Sequence, residues 1–398
     1  MEMSRNKYLL ISPYPPPFVG GSLVYLFNMT ENVPERMDIL TNQLGDGWRE
    51  VSKHNIIRSR FIAFPMENLT RFKLFIGFSY MLLWFFVMNL FKKYDAVVVN
   101  QQVFGNSLFF LLGKLLHVCV IGIGHGEEIT IAQRQKGLKG KIKRVLMNYA
   151  YKKAGGFIVV CHFCRDLLVD VGVNSDAVEV IPSSTNPRKL HPVANRQFGK
   201  NTVISVGRLV ERKGFHCLVD AIHKIKDEIP SVKAHIVGDG PMRQFLEEKV
   251  KTLRLEKHVF IHGEISDEKL SRLYQESDLF VLAHMMLEDG NTEGCPTVFS
   301  EAGGSGIPVI GGTGAGADTA IIEGETGYIV NSRNIDELAD RIKKILTNPT
   351  LAEEMGKAAI EKVKRDHDPE KAGKKYFDTI HRIAIQFSSL KISTSRAN

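Results

Sequence analysis

Short apolar runs alternate with longer amphipathic stretches along most of the chain. The runs are rich in β-branched and aromatic residues and predict strands, while stretches between several of them, such as 70–92 and 140–153, show helical periodicity. Strands that alternate with helices predict parallel sheets covered by helices on both faces, an α/β fold. The predicted strands are 8–11, 37–40, 56–64, 96–99, 118–123 and 157–160, followed by 203–206, 234–237, 259–261, 279–282 and 307–310.

The alternation is interrupted in the stretch 182–200, which contains three prolines and little apolar periodicity, and this interruption predicts a domain boundary. We therefore expect two doubly wound, Rossmann-like domains at 1–190 and 191–369, with a final helix at about 370–398 that packs back on the first. A chain of 398 residues is long enough for both. Since ligands of open α/β sheets bind beyond the carboxyl ends of the strands, two facing domains would form a cleft suited to a large, two-part substrate.

The composition excludes several classes of protein. With 44% hydrophobic and 24% charged residues, the chain is unlike disordered, collagen-like or disulfide-scaffold proteins. Five scattered cysteines favour a reducing compartment without a disulfide framework. Residues 1–200 carry 25 Lys and Arg against 14 Asp and Glu, whereas residues 201–398 carry 27 against 30, so the positive charge is concentrated in the first half. A basic half indicates an anionic partner surface.

Two segments of the basic half suggest contact with a membrane. Leu74–Phe91 has 18 residues without a formal charge, near the lower limit for a spanning helix, but polar and glycine positions dilute it, so a buried or interfacial helix is favoured. The segment 129–165 has no acidic residue, and between Arg134 and Lys153 it interleaves eight Lys and Arg with apolar positions, a pattern typical of helices that lie on anionic lipid. A solvated helix face is the alternative.

No secretory signal is visible at the N-terminus, and the expected location is therefore cytoplasmic, peripheral on the inner face of a membrane. The residues expected to face an acceptor or the membrane are Glu128, Arg134, Lys136, Lys139, Lys141, Lys143 and Arg144.

Two loops that follow predicted strands carry residues suited to anion binding. Gly20 and Gly21 come after the first strand, where paired glycines let the backbone approach a ligand ahead of a helix N-terminus. Arg208 and Lys213 bracket the loop after the strand at 203–206, so two cations could clamp a diphosphate. Ordinary solvated turns are the alternative for both loops.

The segment Glu293–Glu301 is the most informative. Pro296 suits the first turn of a helix, which puts Glu293 in the preceding loop and Glu301 inside the helix. One carboxylate could then face a sugar and the other a ribose, while the backbone at 296–298 meets a phosphate. Two unrelated surface acids are the alternative reading.

Together these segments resemble glycosyltransferase family 4, whose members are retaining transferases with two Rossmann-like domains, the GT-B fold. The resemblance covers nearly the whole chain and is most specific at 203–330. It rests on the order and spacing of SVGRLVERKGF, HIVGDGP, VFIHGEIS, SDLFVLA, EGCPTVFSEAGGSGIPVI and GETGYIV. One departure, Ser183-Ser184 where the family usually has Asn-Gly, falls in the connector and leaves these motifs unchanged.

The resemblance implies a role for each matching position. Arg208 and Lys213 would neutralise the leaving diphosphate. Glu293 would hold the donor sugar, and His125 matches the histidine near the transferring sugar. The implied catalytic set is His125, Arg208, Lys213 and Glu293. The implied donor-binding set is Gly20, Gly21, Arg208, Lys213, Gly238, Ile261, Gly294, Cys295, Pro296, Thr297, Val298 and Glu301.

The implied reaction moves a sugar from a UDP- or GDP-sugar to a membrane glycolipid or another saccharide acceptor, with attack from the leaving-group face. No metal or other cofactor is expected, because cations and helix N-termini can stabilise the diphosphate. The C-x-x-C at Cys161–Cys164 is interpreted as core packing, and the glycine-rich run Gly312–Gly316 as a flexible loop near the donor phosphate.

Three other functions stay open. A nucleotide-sugar epimerase or hydrolase could use the same fold, and product analysis separates it because an epimerase needs no acceptor. A nucleic-acid-binding protein could use the basic half, but no recognised nucleic-acid motif is present, so nucleic acid is not an expected partner. A non-catalytic scaffold would not need the intact set of charged motif residues.

Overall fold

The computed structural model describes residues 7–12, 21–42, 54–59, 71–100, 107–184 and 196–395. The chain divides into two compact units, each built on one parallel sheet. The N-terminal unit comprises Met1–Val160, Cys164–Ile181 and Glu370–Asn398, and the C-terminal unit comprises Cys161–Phe163 and Pro182–Pro369. The main break thus follows Ile181, at the start of the proline-containing stretch.

The N-terminal unit contains a sheet of seven strands within its described residues. The strands are β1 (Tyr8–Ile11), β2 (Asp38–Asn42), β3 (Asn55–Ser59), β4 (Ala96–Asn100), β5 (Cys119–Gly124), β6 (Gly156–Val159) and β7 (Val178–Val180). The helices are α1 (Gly21–Glu31), α2 (Arg71–Lys92), α3 (Ser107–Leu116), α4 (Glu127–Arg134), α5 (Gly137–Tyr151) and α6 (His162–Asp170). The strand order is β3-β2-β1-β4-β5-β6-β7.

The described part of the C-terminal unit contains a sheet of six strands. The strands are β8 (Thr202–Val206), β9 (Lys233–Val237), β10 (Val259–Ile261), β11 (Leu279–Leu282), β12 (Val309–Gly312) and β13 (Gly327–Val330), in the order β10-β9-β8-β11-β12-β13. The helices are α7 (Phe215–Ile225), α8 (Arg243–Thr252), α9 (Asp267–Glu276), α10 (Thr297–Gly304), α11 (Ala317–Ala320), α12 (Ile335–Leu346) and α13 (Pro349–Asp366). The last helix, α14 (Pro369–Ser395), belongs almost entirely to the N-terminal unit.

The strand order reverses once in each sheet, between β1 and β4 and between β8 and β11. In open α/β sheets, ligands bind at such switch points, outside the carboxyl ends of the strands. Strands beside these points, such as β4 and β11, are buried along their whole length. Helices on both faces exclude water from such strands, which explains why they form continuous apolar runs.

The predicted α/β class and its parallel sheets are confirmed. The strand expected at 307–310 begins only at Val309, directly after Pro308. For the strand expected at 56–64, the structure has β3, and the remainder lies outside the described residues. The sequence missed β7, which has only three residues, and β13, which begins with glycine.

The apolar segment Leu74–Phe91 lies inside α2, a helix of 22 residues. Over the parts of the chain that the structure describes, no helix is both long enough and apolar enough to cross a bilayer.

Candidate functional site

The loop after β8 carries cations at the carboxyl end of a central strand. A single 3₁₀ turn at Glu211–Lys213 ends this loop, and α7 begins directly after Gly214. Arg212 Nε lies 2.7 Å from Glu293 Oε1, and Lys213 Nζ lies 3.3 Å from Glu293 Oε2. The side chains of Lys213 and Glu293 are only 13% and 14% exposed. The structure therefore places the predicted Lys213 and Glu293 in one partly desolvated ion cluster.

Two opposing effects set the pKa of Glu293. Burial raises it, but the positive charges of Lys213 and Arg212 outweigh burial and hold the pKa below its usual value. Glu293 is therefore an ionised carboxylate at neutral pH. Arg212 was not singled out from the sequence, because an arginine beside a lysine in a turn has the pattern of a solvated basic loop.

Arg208 differs from Lys213, although the sequence suggests one role for both. The Arg208 side chain is exposed and has no carboxylate partner among the described residues, whereas Lys213 is half-buried against Glu293. Arg208 is thus a free surface cation on the same loop, available to an anionic ligand without the loss of an internal ion pair.

Gly214 and Gly238 allow the backbone of this loop to pack closely against the backbone of adjacent segments. Gly214 has φ +68°, and a Cβ there would lie 1.8 Å from the carbonyl oxygen of Ala283, the residue that follows β11. Gly238 has φ +129°, and its Cβ would lie 2.1 Å from the carbonyl oxygen of Gly207. Only glycine fits such approaches, so both residues fix the backbone around the cation loop.

The predicted helix after Glu293 is α10, which begins at Thr297 with Pro296 directly before it. Proline has no backbone N–H, so the expectation that the amide at 296 meets a phosphate is wrong, and only the amides from Thr297 onward can donate. The preceding loop is tied down by Gly294, whose carbonyl accepts a 2.7 Å hydrogen bond from the Gly316 amide. The run Gly312–Gly316 thus packs against the Glu293 loop.

Cys295 and Glu301 flank the start of α10. Burial raises the pKa of the Cys295 thiol well above its usual value, so Cys295 is a neutral thiol. Glu301 lies within α10 and is half-buried. Burial, and to a smaller extent the negative charge of Glu301, raises the pKa of Tyr274 well above its usual value.

Arg196 anchors the helix that carries Glu301, and it was not predicted from the sequence. Its Nη1 atom lies 2.8–3.1 Å from three carbonyl oxygens at the end of α9, and Nη2 lies 2.8 Å from the carbonyl oxygen of Ser305, directly after α10. A cation at two helix C-termini satisfies carbonyls that have no partner within their helices and interacts favourably with both helix dipoles.

His284 follows β11 and is a second residue that the sequence analysis missed. Its ring is fully buried, and Nδ1 accepts a 3.2 Å hydrogen bond from the Gly312 amide. Burial lowers the pKa of His284 to about 4, so the ring is neutral at pH 7, close to the charges of Glu293 and Lys213. Its only sequence signal is a histidine directly after a continuous apolar run.

The segments that contain the predicted donor-binding residues Gly238 and Ile261 lie together. The Gly238 amide donates a 2.9 Å hydrogen bond to the carbonyl oxygen of Gly263, two residues after Ile261. Beside them, His262 Nε2 and His235 Nδ1 are 2.9 Å apart, and the His235 ring stacks on Phe260. His235 was not predicted.

His125 follows β5 in the N-terminal unit. Its Nε2 atom lies 2.9 Å from Oδ1 of Asn100, the last residue of β4, and its ring meets the edge of Tyr25 at 5.7 Å between centroids. Because the amide oxygen of Asn100 can only accept, Nε2 carries the proton. Burial lowers the pKa of His125 to about 4, so the ring is neutral at pH 7. Asn100 was not predicted.

Glu128 lies at the start of α4 and accepts a 2.6 Å hydrogen bond from the His125 amide. Burial raises the pKa of Glu128 to about 7, although hydrogen bonds from backbone amides partly oppose this. Glu128 therefore exchanges its proton near neutral pH, and its carboxyl group orients the backbone of the predicted His125.

The remaining predicted residues are two glycines after the first strand and the basic residues between Arg134 and Arg144. Gly20 lies outside the described residues, and Gly21 is the first residue of α1. Among the basic residues, Arg144 is half-buried, and its guanidinium donates to the carbonyl oxygens of Gln133 and Gln135, so it is a structural link between α4 and α5. The exposed basic residues of this region are Arg134, Lys136, Lys139 and Lys141, while Lys143 is half-buried.

Cys161 and Cys164 are both buried, and neither forms a disulfide bond. Across the described ranges, the structure has no group of three or more His, Cys, Asp or Glu that could hold a metal ion.

Two family models match adjacent parts of the chain. The model "Glycosyltransferase Family 4" matches residues 19–189, and the model "Glycosyl transferases group 1" matches residues 188–362. The chain belongs to glycosyltransferase family 4. The resemblance inferred from the motifs is thereby confirmed.

One curated relative of this family member is the GDP-mannose-dependent alpha-(1-6)-phosphatidylinositol monomannoside mannosyltransferase of Mycobacterium tuberculosis. The two are 30% identical over 192 residues, which cover 48% of this chain and 49% of the relative. The chain thus spans about half the length of this relative.

Two solved structures resemble the family member over nearly its whole length. Sucrose-phosphate synthase from Thermosynechococcus elongatus has a TM-score of 0.72 at 22% identity, covering 99% of this chain and 100% of that one. Anabaena Alr3699/HepE, in a complex with UDP, has a TM-score of 0.73 at 16% identity, covering 94% and 100%. At these identities the similarity shows the fold, which is GT-B, as the sequence predicted.

Proposed function

We propose that this chain transfers a sugar from a nucleotide-diphosphate sugar, with uridine or guanosine as the base, to a membrane glycolipid or another saccharide acceptor. The observation that carries the proposal is the cluster of Glu293 with Arg212 and Lys213 after β8. Membership of family 4 supports the reaction class. The name of the mycobacterial relative supports a guanosine donor and a glycolipid acceptor, whereas the UDP in HepE supports a uridine donor.

The cluster supplies both charges that such a transfer needs. Departure of the nucleotide diphosphate leaves negative charge on a phosphate, and the anomeric carbon becomes oxocarbenium-like. Arg208 and Lys213 would stabilise the phosphate together with the amides that begin α10. Glu293 is ionised because its pKa is lowered, so it would accept hydrogen bonds from the donor sugar.

Donor binding would rearrange these ion pairs. Lys213 holds Glu293 at 3.3 Å, the longer of the two contacts, so it is the cation we expect to turn towards the phosphate. Arg212, at 2.7 Å, would stay on Glu293 and keep it ionised. Arg208 joins the phosphate without breaking any internal pair of the described residues, because its side chain is exposed.

We further propose a retaining reaction that needs no metal ion. Retention is what the family resemblance implies. Metal independence is supported by the cations on the β8 loop, which can provide the charge stabilisation that a divalent metal supplies elsewhere. His125, neutral at pH 7, would contact the transferring sugar through hydrogen bonds rather than through a positive charge. Glu128 would face the acceptor, which the enzyme would meet at the cytoplasmic face of a membrane.

Thermal stabilisation by UDP-, GDP- and ADP-sugars, with and without EDTA, tests the donor site. A ligand at about 100 times its dissociation constant should add about 2.7 kcal/mol to the free energy of unfolding. We expect one nucleotide series to stabilise the chain equally with EDTA present. Stabilisation by no donor would contradict the proposal, and stabilisation lost with EDTA would contradict metal independence.

Product analysis with the stabilising donor then tests the reaction. Transfer to a glycolipid acceptor with an unchanged anomeric configuration supports the proposal, whereas conversion of the donor without acceptor would indicate an epimerase or hydrolase. Glu293→Gln should lower transfer strongly. Glu288→Gln changes an exposed acid in the same loop and is the matched control, expected to retain the wild-type rate.

A further inference from the structure

The exposed large apolar side chains are concentrated on three helices of the N-terminal unit. Among the described residues fourteen such side chains are exposed, and eleven of them belong to α2, α3 and α5. They are Leu83, Phe86, Leu90 and Phe91 on α2, Leu108 and Leu115 on α3, and Leu138, Ile142, Val145, Leu146 and Tyr149 on α5. Single exposed apolar residues are ordinary, but a concentration on neighbouring helices indicates an interaction surface.

On α5 the exposed apolar residues form a stripe along one face. Their positions follow the spacing i, i+4, i+7, i+8 and i+11, and their exposed fractions range from 52% to 75%. The opposite face of α5 is buried, and its residue Tyr151 meets Phe110 of α3 at 6.0 Å between ring centroids. The stripe therefore points away from the core.

The three helices form one layer. Each connects two strands in the same direction across the sheet, so right-handed crossovers place all three on the same face. Ring contacts join them, since Phe85 of α2 lies 5.3 Å from Phe109 of α3 and α3 in turn contacts α5. The exposed apolar residues of α2, α3 and α5 thus form one surface, here called the apolar face.

Positive charge surrounds the apolar face. On α5, Lys139 and Lys141 are exposed on either side of the stripe. Lys153, beyond the end of α5, lies over the ring of Tyr149 with Nζ 4.9 Å from its centroid. At the end of α2, Lys93 is exposed, whereas Lys92 pairs with Asp38 at 2.8 Å. The segment 129–165 offers no acidic residue to neutralise the lysines of α5.

The apolar face together with the lysines around it favours an anionic membrane as the partner. A second copy of the chain on the apolar face would bring the same lysines together, and like charges would oppose the contact. An anionic bilayer offers apolar chains below a negatively charged headgroup layer, which complements both the stripe and its basic rim.

We propose that the apolar face inserts into the headgroup–acyl boundary of an anionic membrane leaflet, with α5 and α2 in the plane of the membrane and the rim lysines on lipid phosphates. This docking rests on the proposed function for its role, because it would hold the N-terminal unit beside a lipid-linked acceptor. Insertion differs from electrostatic adsorption alone, because part of the binding comes from apolar burial that salt does not screen.

Co-sedimentation with vesicles tests the proposal. The vesicles are phosphatidylcholine alone, or phosphatidylcholine and phosphatidylglycerol in equal parts, at low and high salt. The wild type should bind the anionic vesicles and retain part of that binding at high salt. Ile142→Ser with Leu146→Ser should weaken binding at least about tenfold at both salt concentrations. Lys139→Gln with Lys141→Gln should weaken it about tenfold at low salt and less at high salt.

Phe245→Ser is the matched control, because Phe245 is a 48% exposed aromatic residue of the C-terminal unit, and it should bind as the wild type does. All substituted side chains are exposed, so melting temperatures should stay close to that of the wild type. Wild-type binding by the Ile142 and Leu146 variant would overturn the proposal. Conversion of a dimer to a monomer by the same variant, with vesicle binding unchanged, would instead identify a second copy as the partner.

The vesicle assay contains no sugar nucleotide. Its outcome is therefore independent of the donor experiments, and a failure of the proposed transfer reaction would leave the binding result unaffected.

Discussion

Replacing Arg208 and Lys213 by alanine should lower turnover in both cases but stability in only one. Each substitution removes a cation that would stabilise the departing diphosphate, and turnover should fall by about 10²-fold or more. Arg208 is exposed and has no carboxylate partner among the described residues, so Arg208→Ala should change the free energy of unfolding by no more than about 0.5 kcal/mol.

Lys213→Ala should destabilise the chain. Lys213 and Glu293 are 13% and 14% exposed and make a charge-assisted contact at 3.3 Å. Hydrogen bonds to charged groups contribute about 1.5–3 kcal/mol, and the long distance favours the lower part of this range. Since Arg212 remains on Glu293 at 2.7 Å, the carboxylate keeps one partner, and we expect a cost of about 2 kcal/mol.

The destabilisation should depend on pH in a defined direction. Burial raises the pKa of Glu293, and Lys213 is the largest of the effects that bring it below the usual value of 4.5. A lowered pKa in the folded state contributes stability above the unfolded pKa and loses it as pH falls through the folded pKa. The difference between wild type and Lys213→Ala should therefore be largest near pH 7 and shrink below pH 4.5.

Thermal unfolding without nucleotide, at pH 7 and at pH 4, measures this difference, with about 2–4 °C expected for each kcal/mol. Lys224→Ala is a suitable control, because Lys224 pairs with Asp336 at the surface, where the side chains are 46% and 78% exposed, and such pairs contribute little. Equal melting temperatures for the Arg208 and Lys213 variants, or a Lys213 deficit that does not change with pH, would refute the reasoning. Wild-type turnover in both variants would mean that the diphosphate site lies elsewhere.

Two further predictions concern residues outside this cluster. Arg196→Ala should reduce the free energy of unfolding by about 3 kcal/mol, because four carbonyl contacts at two helix ends are lost. Arg196→Lys should recover only part of this loss. Denaturant unfolding measures both variants, and an Arg196→Ala variant as stable as the wild type would contradict the anchoring role. Burial raises the pKa of Glu128 from 4.5 to about 7, so the contribution of Glu128 to stability is present below pH 4.5 and is lost as the pH rises to about 7. The free energy of unfolding of the wild type, relative to that of Glu128→Gln, should therefore fall over that interval. A difference that does not depend on pH would be the contrary result.

The fold was predictable because its signal is local. Strands buried between two helix layers form continuous apolar runs, and β4 and β11 are recognisable as strands without knowledge of their neighbours. The positions of the candidate loops were also predictable, since these loops directly follow the strands. Short elements such as β7, with three residues, provide too few positions for a periodic signal.

The partners within the site were less predictable, because they come from distant parts of the chain. Arg212 and Glu293 are separated by 81 positions, and Arg196 reaches the end of α10 over 109 positions. A spacing rule could assign a cation to the loop at 207–214, but it could not show that Arg212 pairs with Glu293 while Arg208 stays exposed. That distinction arises from the 3₁₀ turn before Gly214 and from the close approach of Gly214 to Ala283.

The helix α5 shows a different limit of sequence reasoning. Its leucine, isoleucine and valine residues form an amphipathic stripe, and such a stripe ordinarily faces the core. In the structure the stripe is exposed, and the buried face consists of Gly140, Met147, Ala150 and Tyr151. A Cβ at Gly140 would lie 2.3 Å from the carbonyl oxygen of Gln135, so this face lies against the backbone of the preceding loop, and a larger side chain at 140 would not fit there. Periodicity reveals that a helix has two faces, but it does not decide which face meets the core, and in α5 the small residues Gly140 and Ala150 let one face approach the protein closely while the leucine, isoleucine and valine stripe stays exposed.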